Sequence, residues 1–361
     1  MLVPAFDTGA FAGALRSLLD DPVRARSMGA CGQALIEEQC SFRGYLFDLL
    51  DMLGLKLPRV SVIVPNYNYA RYLPERIGSI TRQQFPFYEL LVLDDASTDD
   101  SVQVIEQLAV ELRVHLRIVR NERNSGSVFE QWAKGVAMAR GDLVWIAEAD
   151  DLAEPSFLKA VLAPMADPAV VMGYCQSRQI DTDGRQLAAS YLDYTKDVSE
   201  ERWLRPYRVD GLDEIRTCMA VKNTIPNVSA VVFRRTALAD ALDRLLTELR
   251  TYRIAGDWLT YLAVLERGDV AFVPESLNLH RRHASSVTIG SDRRPHMLEV
   301  LRVQRLVQQR YSPPAESVRK ASKYARQLYQ YFKLSNVEIE EIEALLANEV
   351  SLQLRHTIAE A

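Results

Sequence analysis

The sequence contains no apolar run approaching the ~20 residues needed to cross a bilayer as a helix, so none of its 361 residues reads as a membrane span. Met1 to Arg16 holds Asp7 and no basic stretch, and no signal peptide is expected. Cysteine is scarce: residues 31, 40, 175 and 218 form no CxxC pair, which excludes a zinc framework and suits a reducing cytoplasm. Charge of one sign is also lacking. The 43 basic and 48 acidic residues leave a net −5, which argues against a nucleic-acid partner. Neither GxGxxG nor GxxxxGK follows the first apolar β-branched run, so a dinucleotide site and a P-loop are both unsupported. What remains is ordinary for a folded protein, with 48% hydrophobic and 25% charged residues and length for two or three structural units.

Residues 1–57 read as helices only. Phe11, Leu15, Leu18 and Leu19 recur at helical spacing, Asp21-Pro22 offers a cap with proline at the first helical position, and Ser41 is placed to cap a third segment through Leu53. From Val60 strands and helices alternate. Strands are expected at Val60–Val64, Glu89–Leu93, Val114–Val119 and Leu143–Ala147, with helices at Tyr72–Arg82, from the capping-box match Ser97-Thr98-Asp99-Asp100 to Leu112, and at Val128–Met138. Such βαβ repetition predicts an α/β fold with a mainly parallel, Rossmann-like sheet and helices on both faces, whose ligands bind beyond the carboxyl ends of the strands.

Those ends carry Pro65-Asn66-Tyr67-Asn68-Tyr69, Asp94-Asp95-Ala96-Ser97-Thr98-Asp99 and Glu148-Ala149-Asp150-Asp151. A carboxylate-lined edge repels a bare diphosphate, and a shared divalent cation, Mg or Mn, resolves the conflict. These segments, with Asn124-Ser125-Gly126, Ala139-Arg140-Gly141 and Trp145-Ile146-Ala147 leading into the acidic cluster, resemble in order the motifs of family 2 glycosyltransferases of the GT-A fold. The resemblance runs from about Val60 to Thr288. It implies an inverting enzyme with a nucleotide-sugar donor, and a GT-A domain over 58–288 between helical extensions, 1–57 and 289–361.

Carried over position by position, the resemblance places Pro65, Asn66 and Tyr67 under the nucleoside and gives Asp95 the base, usually uracil. Asn124 falls in the turn beside ribose and phosphates, which also reads as a plain turn. Glu148 stands where the family has the first aspartate of DxD, and its extra methylene moves the carboxylate outward toward a sugar or a water. Asp150 is expected as metal ligand, and Asp151 as donor contact or second ligand, with helix capping before Pro155 the competing use. In Ala255-Gly256-Asp257-Trp258 the family has an acid pair opening a helix; Gly256 replaces the first acid, and Asp257 keeps the position of the catalytic base. His283, after a strand at Val270–Pro274, matches a histidine that coordinates metal or touches the diphosphate; a solvated basic loop is the other reading of His280 and His283.

Residues 18–22, 26, 28–29, 40–42 and 45 also resemble the last helices of a glycosyltransferase of the two-Rossmann-domain (GT-B) type. That implies a piece of a longer multi-transferase chain, a plain helical extension being the alternative. From Arg281 to Lys333 twelve Lys or Arg stand against three acids, read either as amphipathic helices packed on the core or as a surface for anionic lipid. The sequence as a whole is read as a metal-dependent glycosyltransferase. It transfers a sugar to a hydroxyl of a surface glycan or lipid-linked acceptor, in the cytoplasm or peripherally at the inner face of the cell membrane. A glycan-binding or scaffolding module that has lost catalysis, and a sugar nucleotidyltransferase, are the rivals.

Overall fold

The structure is a computed structural model describing residues 3–4, 6–39, 42–283 and 293–359. The chain divides into two compact units, Met1–Leu57 and Pro58–Ala361. The first holds α1 (Thr8–Leu19), α2 (Pro22–Gln39) and α3 (Phe42–Met52). Asp21 accepts the amide of Arg24 at 3.0 Å ahead of Pro22, as its sequence position implies. Ser41, expected to cap α3, lies outside the described residues. The chain leaves α3 through Gly54 at φ +79°, where the Leu55 amide returns to the Leu50 carbonyl at 2.8 Å.

The second unit is an α/β body around one ten-stranded sheet. Its elements are β1 (Val60–Asn66), α4 (Leu73–Thr81), β2 (Glu89–Asp94), α5 (Ser101–Glu111), β3 (Arg117–Arg120), α6 (Val128–Met138), β4 (Leu143–Ile146), β5 (Leu152–Ala153), α7 (Phe157–Leu162), β6 (Val170–Ile180), β7 (Gln186–Ala188), α8 (Leu192–Thr195), β8 (Tyr207–Val209), α9 (Gly211–Glu214), β9 (Val231–Arg234), α10 (Arg235–Leu249), α11 (Gly256–Leu265), β10 (Asp269–Arg281), α12 (Arg293–Tyr311), α13 (Ala315–Phe332) and α14 (Asn336–Ala359).

The strand order is β3-β2-β1-β4-β9-β6-β10-β5, with β7 beside β6 and β8 beside β10. Pairings among β1 to β4 are parallel, β9 runs antiparallel between β4 and β6, and β6 with β10 is parallel again. β1 is buried along its whole length, as a central strand covered on both faces must be. Val60, Val62 and Val64 point to the face covered by α4, α5 and α7, and Ile63 to the face covered by α6, α10 and α11. Val300, Val303 and Val307 of α12 join that second core, so the C-terminal helices pack with the sheet as one body.

Three differences from the sequence reading have local causes. Helix α5 starts at Ser101: the Ser97 hydroxyl accepts the Asn68 amide at 3.0 Å, while Asp99 accepts the Ala70 amide with one oxygen and the Ser101 amide with the other, both at 3.0 Å. The long strand β6 carries no β-branched run beyond its first two residues, and tight packing marks it instead, since a Cβ on Gly173 would meet Met165 at 3.0 Å. Residues 277–286, which follow the strand expected at Val270–Pro274, begin inside β10, and 284–286 lie outside the described part.

Gly141 in the Ala-Arg-Gly segment is required by a close approach. A Cβ there would lie 2.5 Å from the Arg59 carbonyl, and its amide donates to Ser61 Oγ at 2.8 Å. Ser61 in turn donates to Glu89 at 2.6 Å, so this motif ties together the starts of β1, β2 and β4. With their starts tied, the ends of the strands are held in register on one rim.

Candidate active site

A cavity of about 530 Å³ opens at that rim, lined among others by Pro65, Asn66, Tyr67, Asp95, Asn124, Glu148, Asp150, Asp151 and Asp257. The carboxylates expected from sequence at the ends of β2 and β4 and at the start of α11 thus share one space. His283 is bonded to this wall through Asp150, its Nε2 standing 2.8 Å from Asp150 Oδ2.

At the end of β1, Asn66 is buried and donates to Asp94 at 2.9 Å and to Ser97 at 3.1 Å, which makes it a strut between β1 and the β2 loop. Tyr67 is half exposed at the wall. Asp95 accepts Asn121 Nδ2 at 2.6 Å, the Ser125 amide at 2.9 Å and the Ser125 hydroxyl at 2.7 Å. The Ser125 amide also reaches the second oxygen at 3.1 Å, so both carboxylate oxygens are tied to the loop after β3. Asn124 closes the turn by accepting the amide of Gly126, at φ +73°, and donating to the Asp95 carbonyl at 3.2 Å.

The loop after β4 divides its acids by surroundings. Asp151 is 1% exposed; one oxygen accepts Asn227 Nδ2 at 2.8 Å and the other the Arg281 amide at 2.8 Å. These bonds make Asp151 an anchor for the loop at the cavity wall; it does not cap α7, which starts after Ser156. Asp150 keeps partial exposure at the cavity. Glu148 uses its extra methylene to reach the indole N–H of Trp132, which donates to it at 3.1 Å. Burial, followed by the charges of Asp150 and Asp151, pushes Glu148 up to about 8.

Beneath this loop Arg76 is fully buried, its guanidinium without a hydrogen-bond partner among the described residues, and stacked 4.8 Å over the Trp145 ring. Burial brings its guanidinium down to about 10, against the pull of Asp151, Asp150 and Glu148. Arg76 is therefore an internal counter-charge to the three acids. Arg281 is spent on structure, donating to the Asp150 carbonyl at 2.7 Å and to Glu75 at 2.5 Å. Tyr72 stacks on the His283 ring at 5.6 Å, and Tyr69 meets it edge-on at 5.9 Å. His280 is held by the Tyr191 hydroxyl at 2.5 Å, and burial depresses its basicity.

Asp257 lies in the first turn of α11, where helix geometry favours a negative charge. Burial outweighs that and raises it to about 7, with the Trp258 amide at 2.7 Å and Asn223 Nδ2 at 3.1 Å acting the other way. The missing acid at 256 has a steric reason. A Cβ there would lie 2.4 Å from the Phe129 ring, so Phe129 occupies the space a side chain at 256 would need. Phe129, Trp132, Asn223 and Arg76 belong to the site's wall or frame, and sequence reasoning missed them. Only the surplus of aromatics in the α6 segment could have hinted at two.

Residues 61–222 match the family model described as glycosyl transferase family 2. The chain is 29% identical over 234 residues to the uncharacterized protein MT1568 of Mycobacterium tuberculosis, covering 64% of this chain and 69% of that one. It is 34% identical over 107 residues to the poly(ribitol-phosphate) β-N-acetylglucosaminyltransferase TarS of Staphylococcus aureus, where the match spans 29% of this chain and only 18% of the relative. The crystal structure of S. aureus TarS 1–349 in complex with UDP-GlcNAc superposes with a TM-score of 0.54 at 19% identity, over 77% of this chain and 74% of that one. Over residues 61–222 the chain is thus similar to family 2 glycosyltransferases, and its fold is of the GT-A type.

Proposed function

We propose that the protein is an inverting glycosyltransferase that takes a sugar from a nucleotide-diphosphate donor, with uridine as base, and delivers it to a hydroxyl of a surface glycan or lipid-linked acceptor. The observation that carries this reading is that Asp257, poised near neutrality, faces the same cavity as the acid loop of Glu148 and Asp150. A carboxylate that titrates near pH 7 and is kept from any cation is suited to take a proton from an acceptor hydroxyl. The TarS relative, named for β-N-acetylglucosaminyl transfer to poly(ribitol-phosphate), and TuaG of Bacillus subtilis, named as a putative teichuronic acid biosynthesis glycosyltransferase and 24% identical over 216 residues, support a cell-surface polymer as acceptor.

Among the described residues no group of three or more His, Cys, Asp or Glu side chains converges on one point. A smaller donor set nonetheless fits a divalent cation: Asp150 Oδ2 and His283 Nε2, one hard oxygen and one imidazole nitrogen at the cavity wall, leaving other positions to diphosphate oxygens. Mg or Mn held there would supply Lewis-acid stabilisation of the leaving diphosphate. Tyr72 and Tyr69 fix the imidazole plane, and Arg76 offsets the acids from below. Asp95 and the 124–126 turn hold the nucleoside side, while Glu148, largely protonated at pH 7, donates a hydrogen bond to a sugar hydroxyl.

Calorimetry with UDP, with and without manganese, tests this site. Binding that requires the metal and is lost in Asp150→Asn supports the assignment; affinity unchanged by chelator overturns it. In transfer assays Asp257→Asn should lose 10²- to 10⁴-fold in turnover with donor affinity kept. A parent rate would remove Asp257 from the role.

A further inference from the structure

We propose that Glu299, on α12 of the C-terminal helices, is a positioning residue for the candidate base: its carboxylate holds the turn that aims Asp257 and Arg253 at the cavity. The proposal rests on the reading of Asp257 as base. Glu299 is 4% exposed, and each of its oxygens is bonded to the same short stretch of backbone. One accepts the Arg253 amide at 2.9 Å; the other accepts those of Ile254 at 2.8 Å and Ala255 at 2.9 Å.

Three successive amides turned onto one carboxylate form a small anion-binding nest. Ala255 is the residue before the first turn of α11 and has no side chain able to cap it. Glu299, 44 residues later in the chain, therefore fixes the turn that leads into the helix, while the Trp258 amide inside the first turn is taken by Asp257 itself. Its own place is fixed by neighbours Val300 and Val303, which are buried in the main core. Two residues past Ala255 comes Asp257, and two residues before it Arg253, exposed and lining the cavity.

A purely structural acid would hold the turn without influencing the chemistry. Glu299 does more, because its negative charge faces Asp257 and favours the protonated form. The other groups around Asp257 are Asn223 from the loop before β9, Tyr261 on α11 itself, and Tyr194 on α8; the charge of Glu148 acts on Tyr261 from the opposite side. Arg253 stands at the rim.

The test uses the full chain with Glu299→Gln, Glu299→Asp and Asp257→Asn. Turnover is read with UDP-N-acetylglucosamine, UDP-glucose and UDP-galactose, and amide hydrogen exchange is read without ligand. Glu299→Gln places an NH₂ group against backbone N–H donors, so amides 253–255 should exchange faster while those of β1 and β4 keep their protection. Its kcat should fall about tenfold or more, as for a slight misplacement of a reacting group. The donor KM should stay within twofold, and the acid limb of the pH profile should move to lower pH. Glu299→Asp, which keeps the charge, should return that limb toward the parent's position.

Parent-like kcat and limb in Glu299→Gln would overturn the proposal, as would unchanged protection at 253–255. Loss of protection across the whole sheet would also overturn it, since Glu299 would then only stabilise the fold. A parent rate in Asp257→Asn would overturn the base reading alone, and exchange at 253–255 would still decide whether Glu299 holds the turn.

Discussion

Replacing Gly256 by alanine probes why the site departs from the acid pair of its family. The added Cβ would stand 2.4 and 2.5 Å from two atoms of the Phe129 ring and 3.2 Å from Leu249, whereas carbons pack at about 3.5–4.0 Å. The ring would have to retreat by roughly 1 Å. It has little freedom to do so, being 4% exposed and set edge-on to Trp132 at 5.0 Å, with the Trp132 indole bonded to Glu148. Overpacking of this kind costs about 1–3 kcal/mol, and alanine in place of a helical glycine returns up to about 1 kcal/mol. The net expectation is a loss of up to about 2 kcal/mol. Urea unfolding at constant m measures it. The decisive arm is the same substitution in a Phe129→Ala background, where the obstacle is gone and a methyl group fills part of the hole. There Gly256→Ala should be neutral or stabilising. An effect of the same sign and size in both backgrounds would refute the steric account and leave the missing acid unexplained.

The raised carboxyls at Glu148 and Asp257 make the ligand-free protein lose stability as pH rises. Folded Glu148 holds its proton to about pH 8 and Asp257 to about 7, while the unfolded chain releases both near 4, so the native state binds more protons between those limits. Urea midpoints at pH 5 and pH 8 should therefore differ less in Glu148→Gln than in the parent, and an unchanged difference would contradict the burial of Glu148. A chain beginning at Pro58 should bind UDP as the full chain does, since the described cavity residues all follow Pro58; weaker calorimetric binding by a folded truncation would show otherwise. Vesicles with anionic lipid should retain the protein at low salt and release it as salt shortens the screening length to ~10 Å at 0.1 M. Equal binding to neutral vesicles, or none to either, would leave the basic helices with a packing role only. That role is already visible in Arg294, paired with Glu338 and Glu341, and in Arg310, paired with Glu266.

What could be read in the sequence was local. The first four strands announce themselves as short apolar runs, and the acids that follow them stand at the rim because a parallel sheet brings its carboxyl ends together. The capping-box reading at Ser97 failed for a tertiary reason: the serine is used in holding the loop after β1, and Asp99 bridges that loop and the helix start by accepting the amides of Ala70 and Ser101. Asp150 and Asp151 are adjacent, chemically identical and both at the cavity wall, yet Asp150 is partly exposed and Asp151 is buried as an anchor. The difference lies in Asn227 and Arg281, which are 76 and 130 residues from Asp151. No spacing rule carries that information.

The same limit applies to residues 289–361, which the sequence reads as a helical extension and whose first helix packs into the central core. A run of basic and apolar residues after a conserved-looking core reads as an appendage, because its amphipathic spacing says only that one face is covered. In the structure that face includes Val300, Val303 and Val307 in the central core, and Glu299 beside them reaches the turn ahead of Asp257. A buried acid with three amide donors is stable only where those amides cannot find other partners, which is the condition at the open start of a helix. The cavity therefore draws the wall of Pro65, Asn66, Tyr67 and Asp95 from the first strands of the sheet, while the turn ahead of Asp257 is bonded to a helix beyond it. Removal of α12 should disable Asp257 even though every residue of the family motifs would remain.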